Sequence, residues 1–376
     1  MIEARTRTSR QTLNDELVAM ARCLADEGPN VNELARQLNR FKETVRYRYH
    51  KFFVDKGITV QAVPSYSKLG FKRLVLVARL AGNKEPLAKS IFETLSQLAY
   101  LHSYTRVLLT GEYIVHVAVP SDLSERCVKF YRLLCDRGFF SHLDVLEFDE
   151  IRNPPMKPEY FDFITGTWRF DGKEAGRTDI KLPLRGRPKT ETYDRMDLLI
   201  LKELDKNAGS TLVKMASALR VNLSALEFHY RDHVKARGLV KGYRLIWQGT
   251  KPDIVGERTI SKKEVYVELT LLLIGASQTE IGELMLLLNK TPFLWSEAYG
   301  STYCAEAFVA NYLLTTFLEY LDPFATKVGN RLRMYIMDQS HARRYVIAYS
   351  LFDGVSRSWR LDEEAVLHSL GNAIPS

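Results

Sequence analysis

The sequence is poor in cysteine and contains none of the short motifs that mark common enzymes. Its four cysteines, Cys23, Cys127, Cys135 and Cys304, form neither a CxxC pair nor a cluster. This spacing excludes a disulfide framework or a zinc ribbon and favours a reducing, cytoplasmic compartment. GxSxG, P-loop, GxGxxG and HExxH motifs are also missing, so no nucleophile elbow, nucleotide-binding loop or zinc-protease helix is predicted. We therefore expect no enzymatic activity, no cofactor and no metal site.

Long apolar runs are missing as well. No run approaches the length of a membrane span, and "VYVELTLLLIGA" is short enough to be a strand. The N-terminal "MIEARTRTSRQTLNDE" has no apolar core of a signal peptide, so no membrane partner is expected. What the 376 residues do contain is 46% hydrophobic residues and a net charge of +8. That composition predicts several domains with true cores and is compatible with a polyanionic partner.

The chain repeats itself in three places that occur in the same order. "NELARQLNRFKETVRYRYHKFFVDKGI" matches "VKMASALRVNLSALEFHYRDHVKARGL" at an offset of 181 residues, which carries Val45 onto Leu226. "LLTGEYIVHVAVPSDL" matches "EAYGSTYCAEAFVANYL" at an offset of 189, and Trp168 falls on Trp359 at 191. The chain is therefore a tandem duplication of a unit of about 170 residues.

Each unit begins with the pattern of a winged helix-turn-helix. "TLNDELVAMARCLADEG" has an apolar helical face, and two short helical segments follow it. Asn30, Ser210 and Asn222 are predicted N-caps, and Gly57 and Gly238 end the third helices. "ITVQAVP" and "LVKGYRLIW" then alternate as strands and are predicted to be the wings.

Six segments follow each wing in the order strand, helix, strand, strand, helix, strand. They run from "KRLVLVARL" to "HLDVLEFD" in the first unit and from "VYVELTLLLIG" to "LRMYIMD" in the second. This order predicts a ferredoxin-like βαββαβ domain in each unit, and hence an α+β chain.

The order of domains resembles the Lrp/AsnC family of transcription regulators. The resembling segments include "DRMDLLILKEL", "ETVRYRYHKFF", "KLGFKRLVLVARL" and "LLTGEYIVHVAVPSDL". The fused double form with a tryptophan in its tail is similar to archaeal members. The resemblance implies double-stranded DNA as partner, a small effector such as an amino acid between the βαββαβ domains, and pairing of sheets, here within one chain or in a homo-oligomer. The expected location is the cytoplasm, in association with the nucleoid.

The predicted domain boundaries follow from this order. They are 1–66 for the first winged helix-turn-helix, 67–150 for the first βαββαβ domain, 151–192 for a tryptophan-containing arm and basic linker, 193–248 for the second winged helix-turn-helix, 249–340 for the second βαββαβ domain, and 341–376 for a tryptophan-containing tail. Trp168 and Trp359 are predicted to anchor these arms on a neighbouring domain.

The third helix of the first unit is the main candidate for reading DNA. Residues 42–53 carry a net charge of +3, whereas the matching residues 224–235 sum to zero, so an asymmetric site is predicted. We expect Arg46, Tyr47 and His50 to read bases. The full set of predicted DNA contacts is Arg40, Lys42, Arg46, Tyr47, Arg48, His50, Lys51, Arg185, Arg187, Lys189, Arg231 and Lys235.

The linker segment "RGRPK" resembles the core of an AT-hook. Arginines are attracted to a narrow A·T minor groove, but five residues are also compatible with non-specific phosphate contact or with a solvated linker. The pair His229 and His233 has helical metal-ligand spacing, yet no carboxylate or other third ligand stands at a convincing spacing from it.

Two alternatives to a regulator stay open. One is a chromatin-like protein that coats DNA without choosing sequence. The other is an enzyme similar to the siroheme decarboxylases, which share the Lrp/AsnC-like architecture and need cationic and histidine side chains around a polycarboxylate macrocycle. The sequence shows no such cluster next to Gly111 or Gly300, so the enzyme is the less favoured of the two.

Overall fold

The computed structural model describes residues 2–173, 190–247, 254–255, 258–259 and 266–372. The fold is α+β and is a tandem repeat of a winged helix-turn-helix and a ferredoxin-like βαββαβ domain, as predicted. The linker residues Arg185, Arg187 and Lys189 lie outside the described residues. The prediction of an AT-hook in this linker therefore concerns residues that the structure does not describe. Within the described part of the chain, no helix has both the length and the apolar character to cross a bilayer.

Three helices and one strand form the helix-turn-helix of each half. In the first half they are α1 (Ile2–Glu27), α2 (Val31–Gln37), α3 (Lys42–Tyr49) and β1 (Thr59–Pro64). In the second half they are α6 (Arg195–Lys206), α7 (Leu212–Leu219), α8 (Leu223–Phe228) and β9 (Val240–Ile246). A π-helical turn extends each third helix, over His50–Val54 and His229–Lys235.

The helix caps follow the sequence with one exception. The side chain of Asn30 accepts hydrogen bonds from the backbone of Asn32 and Glu33, and Asn222 caps α8 in the same way. Thr211, not the predicted Ser210, is the N-cap of α7, because the helix begins one residue later.

The predicted wing strands pair with each other across the two halves. β1 and β9 run antiparallel from the Thr59–Ile246 pair to the Pro64–Val240 pair. The wings therefore form one two-stranded ribbon that joins the two helix-turn-helix domains.

Each half also contributes the predicted βαββαβ unit. In the first half its elements are β2 (Phe71–Leu80), α4 (Ala88–Leu98), β3 (Leu101–Val107), β4 (Tyr113–Pro120), α5 (Ser124–Asp136) and β5 (Phe140–Phe148). In the second half they are β12 (Tyr266–Leu273), α9 (Gln278–Lys290), β13 (Leu294–Tyr299), β14 (Tyr303–Ala310), α10 (Leu314–Val328) and β15 (Leu332–Arg344).

Short elements complete the described chain. They are β6 (Glu150–Arg152), β7 (Phe161–Asp162), β8 (Thr167–Trp168), β10 (Ile254–Val255), β11 (Arg258–Thr259), β16 (Phe352–Asp353), β17 (Ser358–Trp359) and α11 (Glu363–Asn372).

The two sheets join at both edges and close into a barrel. The strand order is β5-β2-β4-β3-β15-β12-β14-β13-β6, with β15 pairing to β3 where Met337 faces Val107. The two ends of this order, β5 and β6, are separated along the chain only by Asp149. Since β5 pairs with β2 while β6 pairs with β13, one continuous stretch of chain bridges both edges of the sheet.

Each helix-turn-helix packs on the sheet of the other half. Leu17 and Val45 of the first half share a core with Leu284 and Phe317 of the second, and Trp168 lies in that core too. In the reciprocal core, Leu226 joins Phe92 and Trp359. The prediction that both tryptophans anchor the arms on a neighbouring domain is confirmed. The two halves thus exchange their helix-turn-helix domains, each of which packs on the βαββαβ domain of the other half.

Candidate active site between the two halves

The inside of the barrel is apolar toward one end and polar toward the other. Side chains alternate along a strand, so Arg73, Val75 and Val77 of β2 point to the same face. Val75 and Val77 belong to a small buried apolar cluster inside the barrel, whereas Arg73 lies beyond it, next to His116 of β4.

A cavity of about 410 Å³ occupies the polar end. The ribbon of β1 and β9 closes one side of it through Gln61, Ala62 and Arg244. The barrel supplies the remaining polar wall, made up of Arg73, His102, Ser103, Thr105, Glu268, Ser296, Glu306, Gln339, Arg343 and Arg344. This volume is typical of a small-molecule site, and the position between two halves is a common one for such sites.

The duplication has given the cavity two different walls. The pairing of Val75 with His116 in the first sheet corresponds to the pairing of Thr270 with Glu306 in the second. The same register sets Arg73 opposite Ala118 and Glu268 opposite Phe308. Arg73 and His116 are thus matched by Glu268 and Glu306, so one half contributes bases and the other contributes acids.

A chain of polar contacts crosses the barrel at this level. Arg73 donates to Nδ1 of His116 at 3.3 Å, and Nε2 of His116 lies 2.8 Å from Glu306. Ser296 also donates to Glu306. Burial alone would raise the pKa of Glu306, but His116 and Arg73 outweigh it and hold this pKa well below its usual value. Glu306 is therefore an anion that is already neutralised within the protein.

Three buried nitrogen atoms in residues of the wall have no hydrogen-bond partner within the described part of the chain. They are Nε of Arg73, Nδ1 of His102 and Nε of Arg244, and all three residues line the cavity. An unpaired buried polar atom costs free energy. Nε of Arg73 and Nε of Arg244 are donors, so this wall indicates a ligand that accepts hydrogen bonds.

The charge of the wall is positive. Burial lowers the pKa of Arg244 to about 9, with Arg344 adding to the effect, so Arg244 still carries its charge at neutral pH. Its guanidinium lies 3.9 Å from the ring centre of Trp295. Arg343 and Arg344 lie exposed at the mouth. Burial holds the pKa of His102 well below its usual value, and this histidine is neutral.

Glu268 is the one acid of the wall with a proton to give at neutral pH. Burial and the nearby Glu306 raise its pKa to about 8. It is 8% exposed and faces the cavity. A protonated carboxyl beside cationic donors can supply a proton to a reacting carbon or oxygen.

A second cavity, of about 940 Å³, adjoins Gly300. Its charged lining residues are Lys72, Arg357, Asp122, Asp149 and Glu150. Three carboxylates against two cations make this cavity unsuitable for a polyanion. It lies near the place where an effector is predicted, and its lining does not identify one.

The cationic side chains predicted for DNA lie on the described surface, several of them in ion pairs. Glu16 binds both Arg40 and Arg48, and Arg46 pairs with Glu43 at 2.9 Å. In the second half Arg231 pairs with Asp232 at 2.9 Å, and Lys235 lies over the ring of Tyr230.

The rest of the predicted set in α3 and its extension is exposed. Tyr47 is 59% exposed, and Lys51 donates to its hydroxyl at 2.8 Å. Lys42 and His50 are exposed too.

The sequence-based search missed the cavity because its residues come from distant segments. The sequence shows no histidine and arginine cluster next to Gly111 and Gly300, whereas the barrel strands β2, β3, β4 and β15 assemble one together with β9 of the ribbon. His116 in the middle of β4 is hydrogen-bonded on both ring nitrogens, to Arg73 and to Glu306. The only available signal was the replacement of Arg73 and His116 by glutamates in the second unit.

No family model and no curated protein matches the chain. Among solved structures, the siroheme decarboxylase NirDL aligns with a TM-score of 0.51 and 10% identity, over 91% of this chain and 93% of that one. The same enzyme in complex with an iron-uroporphyrin III analogue aligns with a TM-score of 0.47 and 10% identity, over 92% and 93%. The first of these alignments shows an Lrp/AsnC-like fold along almost the whole chain.

The prediction that the chain is not an enzyme is wrong by this comparison. A solved structure that shares the fold over 91% of this chain is that of an enzyme. The argument from missing motifs failed because this architecture builds its polar cavity from isolated residues on separate strands.

Proposed function

We propose that the protein is an enzyme that decarboxylates a polycarboxylate tetrapyrrole of the siroheme type in the cavity between its halves. The observation that carries the proposal is one cavity lined by Arg73 and Arg244, whose buried Nε donors have no partner among the described residues. Carboxylate arms accept hydrogen bonds from such donors, and guanidinium groups bind them with two parallel bonds.

The residues that line the cavity would have two roles, binding the carboxylate arms of the substrate and donating a proton. Arg73 and Arg244 hold carboxylate arms that do not react, and Arg343 and Arg344 attract the substrate at the mouth. At the reacting arm, the bond between carbon and the carboxylate breaks and CO₂ leaves. The electron pair stays on carbon, which takes the proton of Glu268, and water returns a proton to Glu268 afterwards.

The size of the cavity sets how the substrate enters. At about 410 Å³ it is smaller than a whole siroheme. We therefore place one carboxylate-bearing edge of the macrocycle inside, with the rest extending past Arg343 and Arg344.

The test is to incubate the purified full chain with siroheme and follow two readouts. Binding changes the visible absorption of the macrocycle, and turnover gives products lighter by one CO₂ for each arm. We expect Arg244→Met to raise KM with little change in kcat, and Glu268→Gln to lower kcat by about 10²–10⁴-fold, the range of general acid catalysis. Arg22→Met, on the exposed surface of α1, is the control and keeps both values. Absence of both an absorption change and a lighter product would sink the proposal.

DNA binding by α3 is a second candidate function. The observation that favours it is the exposed face formed by Arg46, Tyr47 and His50, next to Phe41, which is 85% exposed. Fluorescence anisotropy with duplex DNA tests it. Arg46→Ala should cost about 1–3 kcal/mol of binding, while Arg231→Ala in the second half should cost less. Equal losses, or no binding at low salt, would contradict a reading role of α3.

A further inference from the structure

Four side chains with metal-binding atoms meet where α6 packs against the third helix of the second half. Asp194 and Asp197 come from the start of α6, and His229 and His233 lie four residues apart in the π-helical turn. One ligand atom from each lies within 4.8 Å of every other. The carboxylates that no sequence spacing indicated are thus supplied by a different helix.

The separations between these atoms suit a tetrahedral ion. Oδ1 of Asp197 lies 2.9 Å from Nδ1 of His229 and 3.1 Å from Nδ1 of His233, and Nδ1 of His229 lies 3.6 Å from Oδ1 of Asp194. Zinc bonds to nitrogen and oxygen of about 2.0–2.1 Å place tetrahedral ligands about 3.3 Å apart. The observed values bracket that separation, so small side-chain shifts would admit an ion.

Asp197 is more deeply buried than its counterpart in the first half. At the repeat offset of 181 residues Asp197 matches Glu16 and His229 matches Arg48, so the ion pair of Glu16 with Arg48 corresponds to the contact of Asp197 with His229. The side chain of Glu16 is 25% exposed, whereas that of Asp197 is inaccessible. A buried carboxylate is costly unless it is paired or binds a metal, so Asp197 depends on the two histidines or on an ion.

We propose that Asp194, Asp197, His229 and His233 form a binding site for one divalent transition-metal ion, with zinc as the natural occupant. Imidazole nitrogens and carboxylate oxygens are both ligands that zinc accepts, and four of them can complete a tetrahedral shell. The side chain of Asp197 is inaccessible, and those of His229 and His233 are 20% and 17% exposed. The side chain of Asp194 is 36% exposed, which gives the ion a path from solvent.

The ion would fix the third helix of the second half onto α6. In its absence both histidines can donate from Nδ1 to Asp197, so the cluster stays satisfied. On metal binding each neutral imidazole would carry its proton on Nε2, and the freed Nδ1 atoms would bond to the ion that joins them to the carboxylates.

The test uses the full chain, stripped with a chelator and titrated with Zn²⁺ against a chromophoric competitor, and in parallel with Co²⁺. We expect one ion per chain and the intense visible bands of four-coordinate Co²⁺. His233→Gln keeps a donor for Asp197 but removes a ligand, so it should stay folded and bind more than about tenfold more weakly. His229→Gln should behave alike.

A matched control is His341→Gln. His341 is exposed and contacts Asp338 at 2.7 Å, but this pair has no described third or fourth ligand at the same point. It should bind zinc as the unchanged chain does. Zinc binding that survives both His229→Gln and His233→Gln, or Co²⁺ spectra of a hexa-aquo ion throughout, would overturn the proposal. Siroheme turnover is measured separately in the stripped chain, so failure of the metal site and failure of the proposed enzymatic function can be distinguished.

Discussion

Single residues decide how the two walls of the cavity differ. Arg73 and His116 in one half correspond to Glu268 and Glu306 in the other, so two acids and two bases meet inside a barrel whose backbone is nearly symmetric. The two glutamates then separate by environment. His116 and Arg73 lower the pKa of Glu306 and outweigh the effect of its burial. Burial and the negative charge of Glu306 raise the pKa of Glu268. The pair therefore contains one anion and one neutral acid at neutral pH.

The raised pKa of Glu268 predicts that Glu268→Gln changes the free energy of unfolding by an amount that depends on pH. Because burial raises the pKa of Glu268 to about 8, the folded chain keeps a proton that the unfolded chain loses between about pH 4.5 and 8. This group therefore lowers the free energy of unfolding as the pH rises through that window. Glutamine cannot ionise, so the variant should gain at least about 1 kcal/mol over the original chain between pH 4.5 and 8.5. Urea denaturation at the two pH values measures it.

Glu306→Gln is the opposing control. The pKa of Glu306 is held low, so its charge stabilises the folded state above the usual pKa of a glutamate, and that contribution disappears as the pH falls through the folded value. The variant should be less stable than the original chain at pH 7. A pH-independent difference for Glu268→Gln would show that Glu268 ionises normally.

At the scale of elements, the sequence predicts what is local and misses what is paired at a distance. The alternation of "ITVQAVP" and "LVKGYRLIW" was enough to place β1 and β9, and the βαββαβ order follows from the same reasoning. Their pairing with each other is not encoded by either segment alone. The cavity depends on that pairing, because Arg244 reaches it only as part of the ribbon.

Gly28 tests how tightly the ribbon packs on α1. It has a φ of +73°, and a Cβ added there would come within 2.8 Å of the ring of Tyr243 on β9. Gly138 has a φ of +72° but nothing within 4 Å of such a Cβ. Gly138→Ala should cost about 1 kcal/mol from the backbone alone. Gly28→Ala should cost about 1–3 kcal/mol more, since overpacking adds to the strain. Equal losses in urea denaturation would mean that Tyr243 moves aside freely.

At the scale of the molecule, the halves are exchanged rather than placed side by side. The helix-turn-helix of each half has its core with the sheet and helices of the other, and each tryptophan arm crosses in the same sense. The sequence indicated the duplication and the internal pseudo-dimer. It could not indicate which helix-turn-helix packs on which sheet, because the matching positions Leu17 and Leu198 are leucines and suit either partner.

The exchange predicts that neither half folds alone. Each isolated half would expose the apolar side of its helix-turn-helix and of its own sheet, and exposed surfaces of that size lead to association or aggregation. We expect residues 1–180 and 181–376, expressed separately, to be insoluble or unfolded by circular dichroism. Co-expressed from two genes, they should copurify as a 1:1 complex with the thermal transition of the intact chain, because the cores and the closed barrel need both parts but not the covalent link between them. The proposed metal site, whose four residues all belong to the second half, should then bind zinc in the complex. A soluble, cooperatively unfolding monomer of either half would show that its helix-turn-helix packs on its own sheet, and the assignment of the two cores to exchanged halves would be wrong.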